Sequence, residues 1–259
     1  MTHVLPPSFP RTRGKGIPVS TGMTRSYNWD AMEDDLFANL RNQMVAEIAA
    51  EAALTVQYTG RAAFAGRVMQ AMAKVPRHEF VPAELKAYGY LNRPLPIGCD
   101  KTVSQPFIVA LMTDLLDLAP GDTVLEIGAG AGYQAAVLAE LAREVYTVDI
   151  IAELAEGAEK RLRQLKYANV TVRVGNGYYG WAEHGPYDRI MVTAACELVP
   201  PPLIGQLKAG GRMMIPTGIT ERQILTLVEK SPEGKVSTRD LLPVRFSELE
   251  EPAGMAGMA

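Results

Sequence analysis

The chain has little of what metal and redox chemistry needs. Two cysteines, Cys99 and Cys196, and three histidines are all that its 259 residues offer. The cysteines lack metal-ligand spacing and form no disulfide framework, so no metal site is expected. An excess of positive charge is also missing: 26 Lys and Arg stand against 29 Asp and Glu, a net charge of −3. Such a surface exerts no general pull on nucleic acid or anionic membrane. No apolar run reaches the roughly 18 residues of a spanning helix. The N-terminus carries prolines and arginines without the apolar centre of a signal sequence. The expectations are therefore no nucleic-acid partner, no membrane, a cytoplasmic location and a monomer.

What is present suits one large domain with extensions, since 47% of the residues are hydrophobic. Residues 1–30 read as a flexible arm, with Pro6, Pro7, Pro10 and Pro18 and no periodicity. Residues 251–259 read as a similar tail. Between them, residues 31–100 form a helical cap and a substrate-side loop, and residues 101–250 the main domain. In the cap, Leu36, Leu40, Met44 and Ile48 recur at helical spacing, with Asp34 and Asp35 suited to the helix start. Phe64, Val68 and Met72 mark a second helix, with Gly60 near the break and Pro76 soon after the end.

Strand and helix patterns then alternate. Strands are expected at 123–127, 144–149, 170–174, 189–193, 212–216, 224–229 and 242–246. Helices are expected between the first five, including 151–165 and 201–207, with Gly210-Gly211 as a helix-to-strand link. Regular alternation predicts a doubly wound, mostly parallel seven-stranded sheet. The last two strands leave no room for a helix and predict an antiparallel edge.

The most informative stretch is Val124-Leu125-Glu126-Ile127-Gly128-Ala129-Gly130-Ala131-Gly132. It reads as a buried strand and a turn with glycine at alternate positions, entering a helix over 133–142. Glycines let the backbone approach a ligand, and a helix start presents N–H donors. The dinucleotide fingerprint G-x-G-x-x-G places its third glycine one residue later, where this chain has Tyr133. The observed E-x-G-x-G-x-G instead resembles the glycine motif of class I S-adenosylmethionine-dependent methyltransferases, which are Rossmann-like. Asp149 ends the next strand and is placed to accept hydrogen bonds from both ribose hydroxyls.

Further segments narrow the resemblance. They are Val75-Pro76-Arg77-His78-Glu79-Phe80-Val81-Pro82, Pro94-Leu95-Pro96-Ile97-Gly98, Thr102-Val103-Ser104-Gln105-Pro106, Gly175-Asn176-Gly177-Tyr178-Tyr179-Gly180-Trp181 and Val192-Thr193-Ala194-Ala195. In this order, with the glycine turn, the chain resembles the protein-L-isoaspartate (D-aspartate) O-methyltransferases over roughly 78–246. The resemblance implies S-adenosyl-L-methionine as methyl donor and, as acceptor, the α-carboxylate of L-isoaspartyl or D-aspartyl residues in damaged proteins. The ester would then collapse to a succinimide, and hydrolysis would restore some normal linkage. An ionised carboxylate needs no general base, which accords with the lack of a Ser-His-Asp set. The resemblance further implies Ser104 as the catalytic residue. It implies Thr102, Val103, Glu126, Gly128, Ala129, Gly130, Gly132, Asp149, Asn176 and Gly177 on the donor. Ser104, Thr193, Ala194, Val244 and Arg245 fall to the acceptor.

Several residues carry a second reading. Ser104 either faces the acceptor or caps the helix begun by Pro106, and both can hold together. Asn176 stands where the family commonly has aspartate; it either takes the adenine amine on its side-chain oxygen or serves as a turn residue. Cys99-Asp100-Lys101 departs from the family's small residues, so Lys101 either draws in an acceptor carboxylate or is solvated. Cys196 is either reactive or an inert buried thiol, and Arg245 either pairs with peptide carboxylates or faces water. His78 and His184 read as structural or exposed. Three competing functions stand beside protein repair. One is carboxyl methylation of a dedicated peptide or small molecule. Another is cofactor binding without catalysis. The third, tRNA base methylation, the acidic balance disfavours.

Overall fold

The computed structural model describes residues 29–249. Residues 1–28 and 250–259, which hold nearly all of the expected arm and the tail, lie outside the described residues. The last two residues of the expected arm, Trp29 and Asp30, open a long first helix.

That helix, α1, spans Trp29–Leu54, so it starts before Asp34 and Asp35. Its buried stripe is Phe37, Met44, Ile48 and Ala52; Leu36, expected in the stripe, is exposed. A short α2 (Val56–Thr59) ends on Gly60 in the left-handed conformation, φ 69°, which glycine adopts without a Cβ clash. Helix α3 (Gly66–Lys74) buries Val68, Ala71 and Met72. A small antiparallel hairpin follows, β1 (Leu95–Gly98) and β2 (Lys101–Val103). Its proline- and charge-rich sequence shows no strand alternation, so pattern reading passes over it. Helix α4 (Pro106–Leu116) begins on the proline and is buried nearly all round.

The main sheet has seven strands in the order β5-β4-β3-β6-β7-β8-β9. These are β3 (Thr123–Ile127), β4 (Glu144–Asp149), β5 (Val170–Val174), β6 (Tyr187–Val192), β7 (Leu207–Ile219), β8 (Arg222–Lys230) and β9 (Val236–Val244). The first five pair in parallel; β8 runs antiparallel to β7 and β9 to β8. The first three strands match their expected bounds, and the rest shift. The last strand ends at Val244, which leaves Arg245 and Phe246 beyond it. Helices α5 (Tyr133–Ala139), α6 (Ala152–Gln164) and α7 (Pro201–Gln206) form three of the crossovers. Between β5 and β6 the expected helix is absent. Two 3₁₀ turns, Gly177–Tyr179 and Ala182–His184, take its place, because four glycines (Gly175, Gly177, Gly180 and Gly185) and Pro186 interrupt that segment. Gly210-Gly211 is likewise not a link. Helix α7 runs directly into β7, and the glycines sit at an irregularity within that strand, where Tyr187 pairs Leu207 but Arg189 pairs Arg212.

Successive β3 residues enter different cores, as period-two alternation requires. Val124 joins a core with α1, α3, α4, α5 and α6. Leu125 and Ile127 join another with Trp181 and Leu203 of α7. The cap helices thus share one core with the sheet. Of the two histidines read as structural or exposed, His78 is partly buried and stacks on Phe37 at 4.0 Å, while His184 stacks on Tyr146 at 4.2 Å and is exposed. Cys196 is buried. Among the described residues no helix is long and apolar enough to cross a membrane.

Candidate active site

The sheet order reverses between β4 and β6, on either side of β3. At such a switch point, the loops leaving the carboxyl ends of the strands diverge and open a crevice. Here the diverging loops are Gly128–Gly132 after β3 and Thr193–Ala195 after β6, with Asp149 on the next tip.

The glycine turn is held from several sides. The Gly128 amide donates to Val148 O at 2.8 Å, and the Thr193 hydroxyl lies 2.8 Å from Gly128 O and 3.0 Å from Ile127 O. Gly128 has φ 94°, and a Cβ there would fall 2.4 Å from Thr193 Oγ1. This position therefore excludes any side chain on two independent grounds. Asp149 Oδ2 accepts the Gly130 amide at 2.8 Å, and Oδ1 accepts the Ile151 amide at 2.9 Å. Each oxygen keeps a further lone pair for a ligand hydroxyl.

These groups border a cleft whose space, open solvent included, is about 640 Å³. Thr102, Gly128, Gly130, Asp149, Asn176 and Gly177, which the resemblance assigns to the donor, all line it. Val103 and Ala129 line a narrower recess alongside, with Ser104. Two expected donor residues stand behind the wall. Gly132 caps α5 at φ 91°, and a Cβ there would crowd Ala158 and Leu162 at 3.2–3.3 Å. It serves helix packing.

Glu126 is fully buried; its Oε2 accepts from Thr147 Oγ1 at 2.5 Å, and its Oε1 has no partner among the described residues. Burial pushes its carboxyl up to about 8, with the Asp149 charge adding to the shift and the Thr147 hydrogen bond opposing it.

Asn176 Oδ1 accepts the Tyr178 amide at 2.9 Å, so the turn reading holds while the residue also faces the cleft. A Cβ on Gly177 would lie 2.3 Å from Ile127 Cγ2; packing against the β3 tip requires this glycine. Sequence reading missed Ile150, Ile151 and Leu154 on the same wall, and Ser247 to Leu249 arriving from beyond β9. The exposed Ile150, next to a strand-tip acid, was a usable signal.

A larger groove of about 1220 Å³ lies against the cleft. Ser104, Thr193, Val244 and Arg245, which the resemblance assigns to the acceptor, line it along with Glu51, Thr55, Phe107 and Leu242. Ala194, expected there, lines the donor cleft instead. So does Lys101, expected at the acceptor lip, because β2 carries it over the glycine turn. Ile97 on the paired strand lies 3.4 Å from where a Gly130 Cβ would be. Ser104 does not cap α4: Gln105 holds that position without a side-chain bond, and the Ser104 hydroxyl makes no hydrogen bond among the described residues. Thr102 and Thr193 border both the cleft and the groove. Among the described residues no group of three metal-ligating side chains converges.

A seven-stranded, mostly parallel sheet with a glycine turn and an acidic strand tip at its switch point defines a class I methyltransferase. The model of the protein-L-isoaspartate(D-aspartate) O-methyltransferase family matches residues 50–253, and the chain belongs to that family. A protein-L-isoaspartate O-methyltransferase of Polaromonas sp. strain JS666 is 55% identical over 235 residues, covering 91% of this chain and 97% of the relative. One from Cupriavidus necator is 60% identical over 217 residues, covering 83% and 84%. Among solved structures, a protein-L-isoaspartate O-methyltransferase is similar at 29% identity with TM-score 0.71, over 82% of this chain and 66% of that one. A Plasmodium falciparum methyltransferase in complex with S-adenosyl-L-homocysteine shares the fold at 21% identity and TM-score 0.65, over 83% of this chain and 97% of that one.

Proposed function

We propose that the chain methylates the α-carboxylate of L-isoaspartyl residues, and D-aspartyl residues, in damaged proteins, the step that initiates their repair through a succinimide. The observation that carries this is the shared wall. Thr102 and Thr193 border both hollows, and Ser104, whose hydroxyl has no partner among the described residues, lines the groove and the recess beside the glycine turn.

The residues of the cleft fit S-adenosyl-L-methionine. Asp149 retains acceptor capacity for a ribose diol, Gly128 and Gly130 bare the backbone, and Asn176 with Gly177 borders the adenine end. This donor supplies an electrophilic methyl on a sulfonium centre. The chain's own part is orientation. Ser104 donates a hydrogen bond to one oxygen of the acceptor carboxylate and holds the other toward the donor. Arg245, the one cation among the groove's lining residues, draws the carboxylate-bearing segment in. Holding two reactants in line can supply on the order of 7–11 kcal/mol of the barrier in favourable cases.

Proteins bearing isoaspartyl residues are the partners, and the chain acts as a cytoplasmic monomer without nucleic acid, in keeping with its mild net acidity. The alternative of a dedicated peptide or small-molecule acceptor draws on the charged Cys99-Asp100-Lys101 loop and the N-terminal region; Lys101 lining the cleft rather than the groove counts against the first of these. The test pairs two peptides, identical except for an isoaspartyl or normal aspartyl linkage, with labelled donor. Base-labile label on the isoaspartyl peptide alone is expected, and label on neither would overturn the assignment. Ser104→Ala should leave S-adenosyl-L-homocysteine affinity within about twofold and lower kcat by roughly 10- to 100-fold, as for a lost orienting donor.

A further inference from the structure

Arg77 lies outside both hollows and is fully buried. Among the described residues its Nε and Nη1 have no hydrogen-bond partner and no carboxylate pairs with it. A buried guanidinium in this state is costly unless the fold uses it. Its Nη2 donates to the main-chain carbonyl of Ser104, at 2.8 Å. Its guanidinium carbon lies over the ring of Tyr133, 4.6 Å from the centroid. Tyr133 is the first residue of α5, directly after the glycine turn.

The contacts continue past Tyr133. The Phe80 ring meets it edge-on at 5.6 Å. Arg161 of α6 lies 6.0 Å from the Phe80 centroid and donates through Nη1 to Ala131 O of the glycine turn, at 2.7 Å. A column Arg161–Phe80–Tyr133–Arg77 therefore runs from a carbonyl of the donor turn to the carbonyl of the acceptor serine. Its ends are directed hydrogen bonds and its middle is an edge-on ring pair flanked by two guanidinium–ring contacts, all sensitive to orientation.

We propose that Arg77 is a positioning residue that fixes Ser104 relative to the donor turn, through the Ser104 carbonyl at one end and the Tyr133 ring at the other. The proposal rests on the acceptor role of Ser104 given above. Lysine can offer one donor but neither the planar fork nor the stacking face. Substitution should therefore displace the serine while leaving Asp149 and Gly128, which form separate contacts, in place.

The test uses the full chain with Arg77→Met, Arg77→Lys and Ser104→Ala, alone and combined. Active-site concentration is measured by S-adenosyl-L-homocysteine calorimetry, so that unfolded protein does not count as slow enzyme. In Arg77→Met, the analogue's Kd should stay within about threefold while kcat per binding site falls roughly 30-fold, in line with the cost of ångström-scale misplacement. Arg77→Lys should recover part of that loss. In the Ser104→Ala background, Arg77→Met should cost under about threefold, because residues acting through one another are not additive.

Equal losses in both backgrounds, or a normal kcat per site in Arg77→Met, would overturn the proposal. So would a Kd that rises as steeply as kcat falls, since the residue would then only support the donor site. If Arg77→Met does not fold, Arg77→Lys carries the same comparison. A wild-type chain that binds the analogue but methylates no isoaspartyl peptide would instead defeat the functional reading.

Discussion

At the scale of single residues, glycines and acids divide the labour between shape and charge. Gly128→Ala meets Thr193 Oγ1 at 2.4 Å in a positive-φ position. The expected result is a loss of stability of about 1–3 kcal/mol and a clear weakening of S-adenosyl-L-homocysteine binding, read by denaturant melts and calorimetry. Arg245→Gln removes the groove's cation without touching the cleft. It should raise the isoaspartyl peptide KM several-fold, leave the analogue's Kd unchanged, and do so less at high salt because exposed charge is screened. An unchanged KM would leave Arg245 as surface solvation. The places of Asp149 at the cleft and Ser104 at the groove were legible in the sequence, since motif context put both near the glycine turn. The burial of Glu126 was not, because an acid inside a strand pattern has the same spacing whether or not water reaches it.

Elements position these residues by bonds that sequence patterns do not display. The segment after β5 is tied to α7 by one side chain. Gln206 Oε1 accepts the Trp181 amide at 2.8 Å, and its Nε2 donates to Tyr179 O at 2.8 Å. A Cβ on Gly180 would meet Gln206 at 2.5 Å. Gln206→Leu keeps the volume and loses both bonds. Hydrogen exchange at Trp181 should accelerate by at least about tenfold, as local opening becomes easier, and analogue affinity should fall modestly through Asn176 and Gly177. Unchanged exchange would mean the turns hold themselves. Pattern reading expected a helix here and no hairpin at β1–β2. Short irregular elements owe their form to partners far away in sequence, so no local period reports them.

For the whole molecule, the buried Glu126 makes stability depend on pH. Its folded value of about 8 lies above the ordinary 4.5. The folded chain therefore retains a proton that the unfolded chain releases. The contribution is fully present below pH 4.5 and is lost as pH rises through about 8. Wild-type stability should decline over that window by up to a few kcal/mol. Glu126→Gln should flatten the slope, provided Thr147 keeps its partner. Parallel urea melts between pH 5 and 8 check this, and identical slopes would show that another group governs the decline.

By itself the sequence determined the sheet, the donor turn and the family. Strand alternation, glycine at φ-sensitive positions and an acid at a strand tip are local requirements, written in consecutive residues. Only the tertiary structure decided which residues share a wall. It moved Lys101 and Ala194 to the donor side, drew Glu126 and Gly132 behind it, and set Arg77 beneath Ser104. Those placements depend on how the hairpin, the sheet edge and α6 pack against one another. Packing joins side chains that no spacing along the chain relates.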